Sequence, residues 1–250
     1  MILSETEKHY PVKFDCLEHL QIAHGCFSRH GGISSHPYYS LNVGLHVNDH
    51  NSHVAENRSF IKNSLAIDCL VSAKQVHGDR VLSLKQPPDS DREYDGYDAL
   101  VTNLSGVGLM IQQADCQAVL LFDPQKRVVA NIHSGWRGSV QNIIARTIEV
   151  MKEDYGSRSL DLRAAISPSL GPCCAEFKNY PSELPPAFHS YQVRPDYFDF
   201  WAISRDQLIE AGVDGNNIEI AGICTACNEN YFSFRRDKTT GRLASVIALR

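Results

Sequence analysis

No stretch of this 250-residue chain approaches ~18 consecutive apolar residues, which excludes a conventional membrane-spanning helix. No repeat of fixed period recurs, so a solenoid or propeller array is excluded too. Lys and Arg are dispersed and form no dense basic run, which removes a polybasic membrane tether. With 24 Lys and Arg against 29 Asp and Glu, the net charge of -5 lacks the electrostatic footprint of a nucleic-acid binder. The opening segment MILSETEKHYPVKFDC has no positive stretch followed by an apolar one, so no secretory signal is read there. The expectation is a cytoplasmic protein with neither nucleic-acid nor membrane partners. The sequence leaves a homo-oligomer open.

Hydrophobic content of 43% and charged content of 21% match an ordinary globular protein, and the length suffices for a substantial core. There are eight cysteines, at positions 16, 26, 69, 116, 173, 174, 224 and 227. Without a secretion signal they read as free thiols or metal ligands rather than a disulfide framework.

Short apolar runs at 107–111, 118–122 and 128–132 have the length of buried strands and are separated by turn residues. Helical spacing of Val140, Ile143, Ile144, Thr147, Val150 and Met151 predicts one helix from about 139 to 155, with Gly156 as its stop. Further strands are expected at 163–167 and 218–223, with helices near 204–211 and 53–66, the last capped by Ser52. The Pro- and Asp-rich stretches 86–97 and 180–186 read as surface loops. Interleaved strands and helices predict an α/β protein with mixed sheets, as a single domain over residues 1–250.

The residues that carry chemistry sit where apolar runs give way to turns. His77 (KQVHG), Cys116 (ADC) and His133 (HSGWRG) offer two imidazoles and one thiolate. That donor set suits a borderline-soft ion such as zinc, and three protein ligands leave a fourth position open, as in catalytic sites. Their separations are not those of a zinc finger, and each residue taken alone reads more readily as an ordinary buried side chain. In HSGWRG, Gly135 and Gly138 flank Trp136 and Arg137. The block reads either as an anion site, with a helix end near Ser139 and the Arg137 fork, or as a plain glycine turn. Cys224 and Cys227 form a CxxC, a zinc half-site or a redox pair. Adjacent Cys173 and Cys174 make a poor bite for one tetrahedral ion, so buried, unreactive thiols are the expectation there. The stretch RRDKTTGR (235–242) is basic and turn-forming; Arg235 or Arg236 could serve a phosphate.

In order, FSRHGGIS, YYSLNVGLHVND, ENR, KQVHGDRV, DALVT, ADC, HSGWRG, SLGPCCAEF and CTACNENYFSFRRDKTTGR resemble the laccase-domain family, also called the multicopper polyphenol oxidase or purine nucleoside phosphorylase family. The resemblance runs from about residue 24 to the end of the chain. It implies zinc ligands at His77, Cys116 and His133 and a four-layer α/β/β/α sandwich. It also implies phosphorolysis of adenosine, inosine and methylthioadenosine, with deamination of adenosine. Under that reading Asp115 is the candidate acid, and Arg29, Arg137 and the adjacent helix end hold phosphate. Asn42 touches the nucleoside, and Trp136 or Tyr39 stacks on the purine. Two positions depart from the family pattern: Ala118, often Pro, and Ser134, usually Ala.

Two other readings remain. The same ligands could hold copper and oxidise phenols, although a multicopper set would nearly exhaust the 11 His of this chain. Alternatively, zinc could staple loops in a protein without catalysis.

Overall fold

The structure, a computed structural model, describes residues 11–250. Its strands form two mixed sheets. The first has five strands: β1 (Ile22–Cys26), β2 (Cys69–Lys74), β4 (Arg92–Asp95), β6 (Val107–Gln113) and β13 (Leu243–Leu249), in the order β1-β13-β6-β2-β4. The second has six: β3 (Val81–Leu84), β5 (Ala99–Thr102), β7 (Gln117–Asp123), β8 (Val128–Ser134), β9 (Arg163–Ile166) and β12 (Ile218–Ile220), in the order β12-β9-β7-β8-β5-β3. A small antiparallel pair, β10 (Gln192–Arg194) and β11 (Tyr197–Phe198), stands apart.

The sheets pack face to face, because β6, β7, β8 and β13 are apolar on both sides. Val71, Leu109 and Ile247 of the first sheet meet Leu100, Leu120, Phe122 and Val129 of the second in one core. Each such side chain fully removed from water contributes roughly 1.5–3 kcal/mol. Buried Asn131 on β8 crosses this core and donates to the carbonyls of Leu109 and Ser245, at 2.8 Å each. That bond pair fixes how the two sheets sit on each other, since an unpaired amide there would be costly.

Helices cover both outer faces. The helix α1 (Asn51–Leu65) lays Ile61 and Leu65 on Leu70, Met110 and Val246. On the opposite face, α3 (Ile143–Tyr155) and α5 (Phe200–Glu210) cover Val119, Ile132 and Ile166 with Ile144, Ile148, Met151 and Leu208. The result is an α/β/β/α sandwich with mixed sheets, as expected. No helix among the described residues is long and apolar enough to cross a membrane.

Several expected elements need correction. The helix over 139–155 is two pieces, α2 (Trp136–Val140) and α3, because Asn142 turns left-handed (φ 53°) and its side chain caps Ala145 N–H. The expected cap Ser52 lies inside α1, which starts after His50. The stretch 86–97 contains β4, an edge strand whose four residues need no apolar face. A short helix, α4 (Tyr180–Glu183), occupies part of 180–186. The run Leu243–Leu249, absent from the expected elements, is a buried central strand.

Candidate metal centre

Strand pairing explains how three distant residues meet. The chain passes from β2 in one sheet to β3 in the other through His77, and from β6 to β7 through Cys116, so both residues sit on crossings between the sheets. On β8, Ser134 pairs with Gln117 and His133 with Ala118, which sets His133 opposite the second residue after Cys116. The donor atoms of His77, Cys116 and His133 all lie within 4.8 Å of one another. Cys116 Sγ is 3.9 Å from His77 Nε2, and the two imidazoles meet edge-on at 4.8 Å between centroids.

One carboxylate sets both histidines. Asp98, fully buried at the start of β5, accepts the backbone N–H groups of Val76 (3.1 Å), His77 (2.9 Å) and Gly78 (2.8 Å). These three bonds hold the turn in which His77 takes a left-handed backbone (φ 59°), a conformation that ordinarily costs about 1 kcal/mol or more. Asp98 Oδ1 also accepts from His133 Nδ1 at 2.8 Å. The proton is thereby assigned to Nδ1, which leaves the Nε2 lone pair for an ion.

The electrostatics favour a thiolate. Burial would raise the Cys116 thiol, but the facing His133 and His77 rings outweigh it and bring it down to about 6. Burial pushes His133 down, and the Cys116 sulfur together with Asp98 pushes it up further, to about 9. Asp98 is raised by burial yet held below the usual carboxylate range by His133 and by the Gly78 and Val76 N–H groups. A cation among the three donors would take the place of the second proton of His133, the one on Nε2, the usual competition between metal and proton.

The space also fits an ion. Gly135 closes the site from behind, where a Cβ would stand 3.0 Å from both Cys116 Sγ and His77 Cδ2. Gly135→Ala is therefore expected to displace a ligand by a few tenths of an ångström. It should weaken metal binding on the order of 10–100-fold, measured by competition with a chromophoric chelator.

The trio lies at the wall of a cavity of about 760 Å³, within the range of small-molecule sites. Trp136, Phe177 and Phe234 supply apolar wall; Lys74, Lys178, Arg235 and Arg242 supply positive charge, and Asp115, Glu176 and Glu183 negative. Arg242, the last residue of the basic stretch 235–242, is one that the sequence does not single out. Burial holds its guanidinium below the usual range, partly opposed by the negative charge of Cys116 and Asp115. Its Nη1 donates to the carbonyls of Thr240 (3.0 Å) and Gly241 (3.1 Å), which fixes the fork.

The other sequence candidates divide. Asp115 lines the cavity, but its oxygens already accept Thr225 Oγ1 (2.7 Å) and Arg235 N–H (2.6 Å). It clamps the crossing that carries Cys116. Asn42 is buried and outside the lining; its Oδ1 accepts the N–H groups of Gly44 (3.0 Å) and Arg242 (2.8 Å), two residues that do line it. Arg29 lies over the Phe232 ring at 4.7 Å and donates to Tyr39 O, so neither it nor Tyr39 is part of the wall. Arg137 is exposed on α2, against the Trp136 ring at 5.1 Å. The expected anion-binding helix end near Ser139 is absent, because α2 begins at Trp136 and is five residues long. Ser134 turns its hydroxyl to Ser139 Oγ at 3.1 Å. Ala118 donates its N–H to Ser167 Oγ at 2.9 Å, a bond that proline could not make.

The chain is similar to the purine nucleoside phosphorylase YlmD of Geobacillus stearothermophilus, 31% identical over 245 residues that cover 90% of this chain and 89% of that protein. It is 33% identical to the purine nucleoside phosphorylase YfiH of Escherichia coli over 237 residues, 89% of this chain and 91% of that one. The crystal structure of the Bacillus licheniformis hypothetical protein YfiH superposes with a TM-score of 0.84 at 30% identity, over 92% of this chain and 93% of that one. The model of the family described as multi-copper polyphenol oxidoreductase laccase matches residues 23–250, a span that includes all three donor residues and Asp98. The chain belongs to that family.

Proposed function

We propose that this protein is a zinc-dependent purine nucleoside phosphorylase acting on adenosine, inosine and methylthioadenosine, with adenosine deaminase activity at the same centre. The observation that carries the reading is the meeting of two imidazoles and a thiolate at the wall of a cavity large enough for a nucleoside, with Arg242 in the same wall. The names of the relatives support it.

Phosphorolysis joins a phosphate oxygen to C1′ of the ribose and breaks the C1′–N9 bond. Negative charge moves from the phosphate to the departing purine, so positive groups must stand at both ends. Arg242 is assigned to the phosphate, because its fork is fixed and it faces the centre; a preset fork binds phosphate oxygens in pairs. Arg29 and Arg137, outside the cavity, give up that role. Trp136, Phe177 and Phe234, the aromatic side chains of the wall, are assigned to the purine face. Asp115 keeps Cys116 in place and is not needed as an acid. When bound by His77, Cys116 and His133, zinc would supply a Lewis-acid centre with an open position.

The copper reading meets a shortage of donors. Among the described residues, only one cluster of three or more donors contains histidine, whereas a multicopper oxidase needs several. Zinc, a d¹⁰ ion, does not change oxidation state and so cannot oxidise a phenol.

The test is incubation with adenosine, with and without phosphate. Adenine and ribose 1-phosphate should form only with phosphate, and inosine with ammonia in either case. Oxidation of a phenol without any phosphate-dependent release of base would overturn the reading. Arg242→Met should raise the KM for phosphate on the order of 10–100-fold, the loss of one or two charge-assisted bonds. Deamination, which uses no phosphate, should change far less.

A further inference from the structure

Four cysteines outside the trio also meet. The sulfurs of Cys173, Cys174, Cys224 and Cys227 lie within 4.8 Å of one another. Cys227 Sγ is 3.5 Å from that of Cys173 and 3.3 Å from that of Cys174. A disulfide needs about 2.05 Å, so these sulfurs are not bonded. Zinc–sulfur bonds of about 2.3 Å in a tetrahedron put sulfurs roughly 3.8 Å apart, close to the spacing seen.

The expectation of buried, inert thiols does not fit. Cys224 is buried, but Cys174 is half-buried and Cys173 and Cys227 are exposed, so apolar burial does not explain why they gather. Nor is adjacency an obstacle. Cys173 and Cys174 lie in a turn closed by Cys174 N–H and Ala175 N–H on the Gly171 carbonyl, at 2.9 and 3.0 Å. Neighbouring side chains there fan out together, whereas in a strand they would point to opposite faces. The N–H groups of Gly171, Ala226 and Cys227 all point at Cys224 Sγ, the first at 3.3 Å. Donors arranged in that way around one sulfur favour its anionic, metal-binding form.

We propose that Cys173, Cys174, Cys224 and Cys227 bind one structural zinc ion, separate from the His77–Cys116–His133 centre. Four protein ligands would close the coordination, as structural sites require. The ion would tie the loop 169–177 to the loop 224–228, which otherwise share the parallel bridge of Ser169 with Cys224 and the Gly171 N–H bond to Cys224 Sγ. Both loops serve the cavity. Leu170 and Phe177 line it, and Thr225 holds Asp115 beside Cys116.

The test is native mass spectrometry of the full chain, purified under reducing conditions without added metal. Wild type should carry two zinc ions. Cys116→Ala and Cys227→Ser should each carry one, and the double variant none. A single zinc in wild type that vanishes in Cys116→Ala would overturn the proposal, as would a mass lower by one disulfide. The second measurement needs no variant: alkylation of the exposed Cys173 and Cys227. Chelator should speed it at least on the order of tenfold by freeing the thiolates. Equal rates with and without chelator would contradict the site, whatever the variants do.

Discussion

Cys116→Ala, purified without added metal, is expected to lose the ion of the His77–Cys116–His133 centre and to release neither adenine nor inosine above background. Binding energies of structural zinc in small peptides, ~10–16 kcal/mol, divide into roughly 3–4 kcal/mol per ligand. Removing the one anionic donor should therefore weaken the site on the order of 10²–10³-fold or more. The fold should survive. Cys116 lies between strands and makes no backbone-fixing bond through its side chain, so thermal unfolding should change little. Retention of full turnover with an empty centre would refute the mechanism. Retention of the ion without turnover would leave Cys116 as reactive group rather than ligand, and would equally contradict the assignment.

The second large effect is expected at Asp98, which touches neither cavity nor ion. Its two oxygens receive four N–H donors, and Asp98→Asn turns one of those oxygens into a donor. Whichever way the amide is placed, two of the four bonds become donor facing donor. At ~1.5–3 kcal/mol for each bond to a charged acceptor, a loss of about 3 kcal/mol or more of folding stability follows. For a chain of this size that is a fall in Tm of roughly 6–12 °C. Metal affinity should fall on the order of 10–100-fold, as for other carboxylates behind a ligating histidine. The effects are separable, since calorimetry of the metal-free protein reads the first and chelator competition the second. A variant that melts lower yet binds metal as tightly as wild type would show that Asp98 shapes the turn and does not prepare the histidines.

The contrast between Cys116 and Asp98 shows what the sequence displayed and what it hid. Imidazole and thiolate stand out by chemistry, so His77, Cys116 and His133 could be selected as donors. Their convergence depends on two sheet crossings and on the pairing of Gln117 with Ser134, long-range facts with no local trace. Asp98 opens the run DALVT, and an Asp before an apolar strand reads as a turn residue. Its one signal was position, since Ala99 pairs with Ile132 and sets Asp98 beside His133. Arg242 was hidden in a turn-forming basic stretch, and its burial comes from the neighbouring loop of Asn42 and Gly44. The long helix was read correctly over α3 but extended too far forward. The break at Asn142 is a single left-handed residue that leaves the apolar period on either side intact. The expected burial of the four thiols fails at Cys173 and Cys227, which are exposed, because the meeting of two surface loops leaves no trace in the local pattern.

Anomalous diffraction from crystals of protein purified without added metal, collected at the zinc and copper edges, tests the central claim most directly. The account expects a zinc peak within bonding reach of His77 Nε2, Cys116 Sγ and His133 Nε2, with no copper signal there. A copper peak at that position, or no metal there while the three donors stand as they do here, would contradict it.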